Sequence, residues 1–183
     1  MKILFALAVA MLLPAHAYAA HWKVDYAKSR LGFTAQWSKE PFNAAFKSWK
    51  ADIDFDPGDL AHARADVTIA LASEESDEKD FDEGLKGAIG FAAAQFPIAH
   101  FVTTGFDRKS PNDFVAAGKL TIKGVTREVT LPFTLTIEGN VAHMRGTAAV
   151  IRTDYGIGEG EWAQPTPVAH EVTVTIDITA TRA

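Results

Sequence analysis

The polar residues best placed for binding or catalysis lie in one stretch near the end of the chain. Arg152 and Asp154 stand two residues apart where a strand-like pattern ends, and Trp162 follows after three glycines. In an extended chain, residues two apart lie on the same face of the strand. One interpretation is an internal ion pair that pins the end of the domain. The other is a polar rim, formed by these three residues, that orients the head group of a bound ligand.

The histidines do not have the spacing of a metal site. None forms the His-x-His or His-x3-His pattern that places two imidazoles on one face, and the chain has no cysteine to assist. We therefore expect no metal and no other cofactor. The six histidines are His16, His21, His62, His100, His143 and His170.

Candidate catalytic groups are few. Asp80, Asp82 and Glu83 have the residue types of an acid and base pair, but they lie in a run of acidic residues. Such a run is typical of an exposed surface, where carboxyl pKa values are not shifted toward neutrality. The chain has no glycine-rich phosphate loop and no serine in a nucleophile elbow. The sequence therefore favours a protein that is not an enzyme.

The first residues have the composition of an export signal. Met1 and Lys2 precede an apolar run over residues 3–13, and the small-residue stretch 15–19 follows Pro14. This order is typical of a secretory signal peptide. The run is too short for a permanent membrane helix, which needs about 20 apolar residues. We predict a signal peptide at 1–19, with cleavage before Ala20 as the first choice and cleavage after Ala17 as the second, and one domain at 20–183.

The charge of the chain excludes some classes of partner. Its formal net charge is −5, and removal of the signal peptide would remove Lys2 and make it more negative. A negative surface repels both nucleic acid and anionic lipid. We therefore expect no nucleic-acid partner and no stable membrane insertion. The sequence leaves the oligomeric state open, including a homodimer.

Apolar residues recur at every second position through most of the chain, which is typical of half-buried strands. Turn residues such as Asp-Pro-Gly-Asp at 56–59 separate the runs. The pattern predicts eight or nine strands, mostly joined by short turns. These strands lie at about 22–26, 31–37, 49–55, 65–71, 99–106, 114–122, 129–137, 142–150 and 172–178.

The segment from Ser73 to Pro97 breaks this alternation. Phe81, Leu85 and Ile89 fall at helical spacing opposite a face of acidic residues. We predict a short helix near residues 77–89, which either is part of a solvated connection or covers one end of the domain. The fold class is thus all-β and antiparallel with one inserted helix. Consecutive antiparallel strands either close into a barrel or stack as two sheets.

Small residues on the apolar faces indicate unfilled space inside the domain, and the glycines among them equally indicate coiling of the strands. A solid core would use larger aliphatic side chains at these positions, whereas an eight-stranded barrel can hold one slender ligand. The small residues are Ala35, Ala116, Gly118, Ala142, Gly146 and Ala148. We predict that the ligand-binding wall includes the larger residues Phe33, Trp37, Trp49, Ile53, Phe101, Leu120, Phe133 and Leu135.

An ordered set of short motifs runs through nearly the whole chain after residue 21. The motifs are Trp22-Lys23-Val24-Asp25, Phe55-Asp56-Pro57-x-x-Leu60, Phe96-Pro97-x-Ala99-x-Phe101, 118–127, 129–133, 152–158 and the closing segment 172–182. In this set the chain resembles the YceI-like family of polyisoprenoid-binding periplasmic proteins.

The resemblance implies a lipocalin-like antiparallel barrel of eight strands with an elongated apolar tunnel. It also implies that the tunnel holds an isoprenoid lipid, such as a quinone tail or a polyprenyl phosphate, and that the protein sequesters or transports this lipid in the periplasm. Arg152, Asp154 and Trp162 fall at the family's end-of-barrel motif.

Two other functions stay open at this point. One is an enzyme that acts on a small lipidic substrate in the same cavity, which would need an inward-pointing acid or base. The other is an outer-membrane barrel, which would expose its apolar face to lipid. The chain ends Thr179-Ala180-Thr181-Arg182-Ala183 and lacks the closing aromatic residue that such a barrel would favour.

Overall fold

The computed structural model describes residues 19–76 and 78–183, so residues 1–18 of the predicted signal peptide lie outside the described residues. Within the described residues the elements are β1 (His21–Val24), β2 (Arg30–Trp37), β3 (Glu40–Phe46), β4 (Trp49–Asp54), β5 (Arg64–Ala70), β6 (Glu74–Ser76), α1 (Lys79–Lys86), β7 (Ile98–Arg108), β8 (Asp113–Ile122), β9 (Val125–Glu138), β10 (Val141–Ile151) and β11 (Glu171–Arg182). None of the described helices is long and apolar enough to span a membrane.

The strands form a closed antiparallel barrel with eight strand positions. β1 and β2 share one position, because both pair with the same edge of β11. β3 and β4 share the next position, since β3 pairs with β2 and β4 pairs with β1. From β4 the sheet continues through β5, β7, β8, β9 and β10 to β11, which closes the ring. This is the lipocalin-like fold class that the sequence predicts.

Two features of the sheet differ from the sequence prediction. β3 was not among the predicted strands, because its segment, Glu-Pro-Phe-Asn-Ala-Ala-Phe, contains a proline and two adjacent buried alanines instead of a clean alternation. β6 was also missed. This three-residue strand lies outside the barrel ring and pairs with β3.

The predicted helix near 77–89 is real but shorter than expected. α1 ends at Lys86, and the backbone of Gly87 is extended. Phe81 and Leu85 belong to α1, whereas Ile89 lies beyond it and is exposed. The three glycines of this segment explain the early end, because each costs a helix about 1 kcal/mol relative to alanine.

The glycines on the inner faces do not contribute empty space, contrary to the sequence interpretation. A Cβ atom at Gly118 would lie 2.6 Å from the ring of Phe101, and one at Gly146 would lie 2.9 Å from Cβ of Phe133. The absence of a side chain therefore lets the Phe101 ring lie close to the backbone at Gly118, and lets the backbone carbonyl of Pro132 and Cβ of Phe133 approach at Gly146. Four of the six small residues do border a cavity, namely Ala35, Ala116, Ala142 and Ala148.

Gly118→Ala is expected to lower the free energy of unfolding by about 1 to 3 kcal/mol, because the added methyl group must displace the Phe101 ring and the carbonyl of Val102. Urea unfolding measures this loss. Gly105→Ala on β7 is the matched control, since nothing lies within 4 Å of a Cβ at that position. Equal losses in the two variants would contradict the packing argument.

Candidate functional site

Two apolar cavities occupy the interior of the barrel. The first has a volume of about 170 Å³ and the second about 160 Å³. Five side chains from five different strands border both cavities, so they form a waist between the two. The waist residues are Leu31, Ile69, Leu120, Val150 and Val174. Small movements of these side chains would join the cavities into one elongated tunnel, near the lower end of the roughly 300–1,000 Å³ typical of ligand sites.

The first cavity is almost entirely apolar, and Thr103 is its one polar lining residue among those that the structure describes. A cluster of phenylalanine rings forms part of its wall. Phe55 packs edge-on against Phe106 and Phe114 at 5.2 and 5.5 Å, and Phe133 stacks on Phe114 at 5.5 Å. Phe55, Phe106 and Phe133 line this cavity, whereas the residues of α1 line only the second one.

The second cavity lies beneath α1 and the loop that follows β10. Phe81 and Leu85 of α1 contribute to its wall. The ring of Trp37 packs edge-on against Phe81 at 4.8 Å and against Trp162 at 6.1 Å. The helix and the loop therefore meet over Trp37. Polar groups border this cavity as well, since Gln36 and Arg152 are among its lining residues.

Arg152 is buried at the end of the second cavity and binds only backbone carbonyls in the loop after β10. Nε donates to Ala169 at 3.0 Å, and Nη1 donates to Ile157 at 2.8 Å and to Gly158 at 3.3 Å. Nη2 donates to the carbonyls of Trp162, Gln164 and Val168. The five N–H groups of the guanidinium are thus all engaged, and burial lowers the pKa of Arg152 from its usual value.

The ion pair expected between Arg152 and Asp154 does not form among the described residues. β10 ends at Ile151, and residues 152–155 form a 3-10 turn in which Asp154 is exposed while Arg152 points inward. The same-face rule for residues two apart holds only in an extended chain. Trp162 lines the second cavity, as a ligand-contacting residue would, but Asp154 does not border it.

A family model described as a YceI-like domain matches residues 22–180, which is most of the chain. The chain belongs to the YceI-like family. Its relatives include a UPF0312 protein of Vibrio parahaemolyticus, 28% identical over 150 residues that make up 76% of each chain. A UPF0312 protein of Photorhabdus laumondii is 31% identical over 134 residues, which are 71% of this chain and 69% of the relative.

Solved structures share the fold of this YceI-like chain. BcnA of Burkholderia cenocepacia superposes with a TM-score of 0.84 and 33% identity, covering 87% of this chain and 100% of BcnA. A polyisoprenoid binding domain from Saccharophagus degradans superposes with a TM-score of 0.70 over 91% of this chain and 100% of that domain. Its identity is 14%, so this second likeness concerns the fold alone.

The structure places all eight predicted wall residues of the YceI-like barrel at a cavity. Trp49, Ile53, Phe101, Phe133 and Leu135 line the first cavity, Phe33 and Trp37 line the second, and Leu120 borders both. The alternation of the strands was the signal that located them. Contact of these residues with a ligand stays a prediction.

Sequence reasoning missed a buried acidic group beside the second cavity. Glu74 on β6 has no exposed surface, and neither of its carboxylate oxygens has a hydrogen-bond partner. Its strand neighbour across the sheet is Phe46, which lines the second cavity. Burial, together with the negative charge of Asp82, raises the pKa of Glu74 to about 7, while the nearby Lys86 opposes this shift.

Asp82 on α1 is also buried, and it accepts hydrogen bonds from the backbone and the hydroxyl of Ser76 on β6. The interpretation of the acidic run as wholly exposed is therefore wrong for Glu74 and Asp82. The acidic run alone gave no signal of this burial, because pairing between β6 and β3 produces it. The hydrogen bonds of Asp82 join α1 to β6 and so hold α1 in place over the second cavity.

Proposed function

We propose that this YceI-like protein is a periplasmic binding or carrier protein that sequesters or transports an isoprenoid lipid, of the polyprenyl phosphate or isoprenoid quinone type, inside its barrel. The observation that carries the proposal is the pair of apolar cavities stacked on either side of the waist. A long, narrow and apolar space suits a linear hydrocarbon tail. The polyisoprenoid binding domain of Saccharophagus degradans shares this fold, so the fold is compatible with the ligand class that we propose.

The apolar wall supplies affinity, and the shape of the tunnel supplies selectivity. Each buried methylene contributes about 0.8 kcal/mol relative to water. A lipid bilayer offers its tail nearly the same gain, so tail burial alone does not extract a lipid from a membrane. Discrimination must come from the constriction at the waist and from contacts with the head group.

The distribution of polar groups indicates how the lipid lies. The first cavity is bordered by the phenylalanine cluster, whereas the second cavity is bordered by Gln36, Arg152 and the indole of Trp162. The tail therefore points toward the phenylalanine cluster, and the head group lies beneath α1. Arg152 has no free N–H to offer a head group, so it acts by holding the loop after β10 in place over the cavity.

An enzyme acting on a lipidic substrate would need an acid or base that reaches the cavity. Glu74 has a pKa suited to such a role at neutral pH, but its carboxylate does not border either cavity. The geometry thus favours binding without catalysis. The periplasmic location is also part of the proposal, because it rests on the signal peptide that the sequence predicts, with cleavage before Ala20.

Mass spectrometry of an organic extract of the freshly purified protein tests the ligand class. We expect one discrete isoprenoid lipid, at up to one molecule per chain, that is retained through purification in the absence of detergent. Phospholipid in the proportions of the host membrane, or no lipid, would contradict the proposal.

A pair of neighbouring residues on β10 allows a matched test of the cavity. Ala148 is buried against the first cavity, whereas Ala149 is exposed on the outer face. Ala148→Phe fills cavity space with a ring and is expected to lower lipid occupancy at least fivefold, while Ala149→Phe retains it. Extracted lipid per chain is measured for both variants, with thermal melts as a check on folding. Equal occupancy in two folded variants would place the lipid outside the barrel.

A further inference from the structure

A cluster of metal-ligating side chains forms where the barrel closes between β1 and β4. His21 pairs with Asp54 across the two strands, and Nδ1 of His21 lies 2.8 Å from Oδ1 of Asp54. Asp52, two residues earlier on β4, projects from the same face, and its Oδ1 lies 3.6 Å from the same nitrogen. One ligand atom from each residue lies within 4.8 Å of the others.

The two carboxylates present different oxygens to different partners. Oδ2 of Asp54 accepts a hydrogen bond from Nε of Arg64 at 2.8 Å, and Oδ2 of Asp52 accepts one from Nη2 of Arg64 at 3.0 Å. Both Oδ1 atoms remain on the side of His21. Arg64 thus orients the carboxylates in the way that outer partners orient metal ligands in known sites.

We propose that His21, Asp52 and Asp54 bind a divalent transition metal ion, with Zn²⁺ as the best fit. One imidazole nitrogen and two carboxylate oxygens match the ligand types and the number of protein ligands of a tetrahedral zinc site, with water in the fourth position. The imidazole disfavours Mg²⁺ and Ca²⁺, which prefer oxygen ligands only. The two carboxylates together outweigh the charge of Arg64, so the cluster keeps a negative charge toward the ion.

A metal at this position would link β1 to β4, whose own pairing is short. The register between β1 and β4 includes only the pairs His21 with Asp54 and Trp22 with Ile53. Trp22 and Ile53 both line the first cavity. An ion held by residues of both strands therefore stabilises this part of the cavity wall, and binding to the native state alone raises stability with ion concentration.

The spacing of the histidines did not indicate this site, because its ligands come from two strands about 30 residues apart. The chain also offers internal controls. His62 lies 2.7 Å from Asp59, and His100 lies 2.7 Å from Asp66, but neither pair belongs to a described cluster of three ligands.

Isothermal titration of ZnCl₂ into the purified protein without a histidine tag tests the proposal. We expect one Zn²⁺ per chain and at least tenfold weaker binding in His21→Ala and in Asp52→Asn. His62→Ala and His100→Ala should bind as the unmodified protein does. Undetectable binding to the unmodified protein, or equal losses in all four variants, would overturn the site.

Thermal melts in ZnCl₂ and in chelator supply an independent readout. The melting temperature should rise with Zn²⁺ in the unmodified protein and in His62→Ala, and should not respond in His21→Ala. All of the substituted side chains are exposed or partly exposed, so folding of the variants without metal is expected. A rise of the same size in His21→Ala would show that Zn²⁺ acts elsewhere.

Discussion

Arg152→Ala is expected to lower the free energy of unfolding by about 3 kcal/mol or more. The guanidinium donates to six carbonyl oxygens of residues 157–169, and the variant leaves buried carbonyls without donors. Because this loop forms part of the cover over the second cavity, the loss should also loosen that cover. Urea unfolding followed by tryptophan fluorescence measures the change in stability.

Two further variants keep this prediction testable even if Arg152→Ala does not fold. Arg152→Lys retains three of the five N–H groups and should lose an intermediate amount of stability. Arg145→Ala removes an arginine whose side chain is 80% exposed and bonded to Asp177 at 2.9 Å, so it should cost no more than about 1 kcal/mol. Similar losses for Arg145→Ala and Arg152→Lys would show that the buried carbonyl network contributes little.

Ligand binding by the same variant separates the two roles considered for Arg152. A head-group contact would make Arg152→Ala weaken binding of a polyprenyl phosphate more than binding of a plain isoprenoid chain. The saturated guanidinium instead predicts similar losses for both ligands in any variant that folds. A selective loss of phosphate binding would restore the head-group role that the sequence motif implied.

The alternation of apolar residues located most of the strands and the residues of the inner wall, whereas the choice of a closed barrel over two stacked sheets rested on the resemblance to the YceI-like family. Phe33 and Phe133 face the cavities because side chains two apart share a face of a strand. That rule depends only on neighbouring residues of one strand, and it predicts side-chain direction wherever the chain stays extended. It failed at Arg152, where the strand stops one residue earlier and the chain enters a 3-10 turn.

Features that depend on contacts distant in sequence could not be predicted in this way. The acidic run from Glu74 to Glu83 predicts an exposed surface, and Glu75 on β6 is exposed as expected. Glu74 is buried because β6 pairs with β3 and packs against α1, a long-range arrangement with no periodic signal. The cluster of His21, Asp52 and Asp54 depends likewise on the register between β1 and β4.

Glu74→Gln is expected to make the stability of the protein less sensitive to a rise in pH from about 4.5 to about 7. The native-state pKa of Glu74 is raised to about 7 from an ordinary value of 4.5. Between these two values the native protein holds the proton while the unfolded chain has released it. Stability therefore falls as pH rises from about 4.5 to about 7, by an amount near 3 kcal/mol, and the loss is complete above that range.

The charged groups around Glu74 indicate which contacts its ionisation weakens. Asp82 on α1 carries a negative charge toward Glu74, Glu75 adds a smaller repulsion along β6, and Lys86 on α1 partly offsets both. An ionised Glu74 thus repels the residue whose hydrogen bonds to Ser76 join α1 to β6. Ionisation of Glu74 should therefore weaken the contact between α1 and β6, which lies beside the second cavity.

Urea unfolding at pH 5 and pH 8 measures the effect, with Glu75→Gln as the matched control. Glu75 is the next residue on β6, is exposed, and lies 3.5 Å from the exposed amine of Lys47. Relative to the unmodified protein, Glu74→Gln should gain about 2 to 3 kcal/mol on going from pH 5 to pH 8, because glutamine has no proton to lose. Glu75→Gln should change by less than about 1 kcal/mol over the same range. If the relative stability of Glu74→Gln is the same at both pH values, Glu74 does not hold its proton in the native protein and its ionisation does not weaken the contact between α1 and β6.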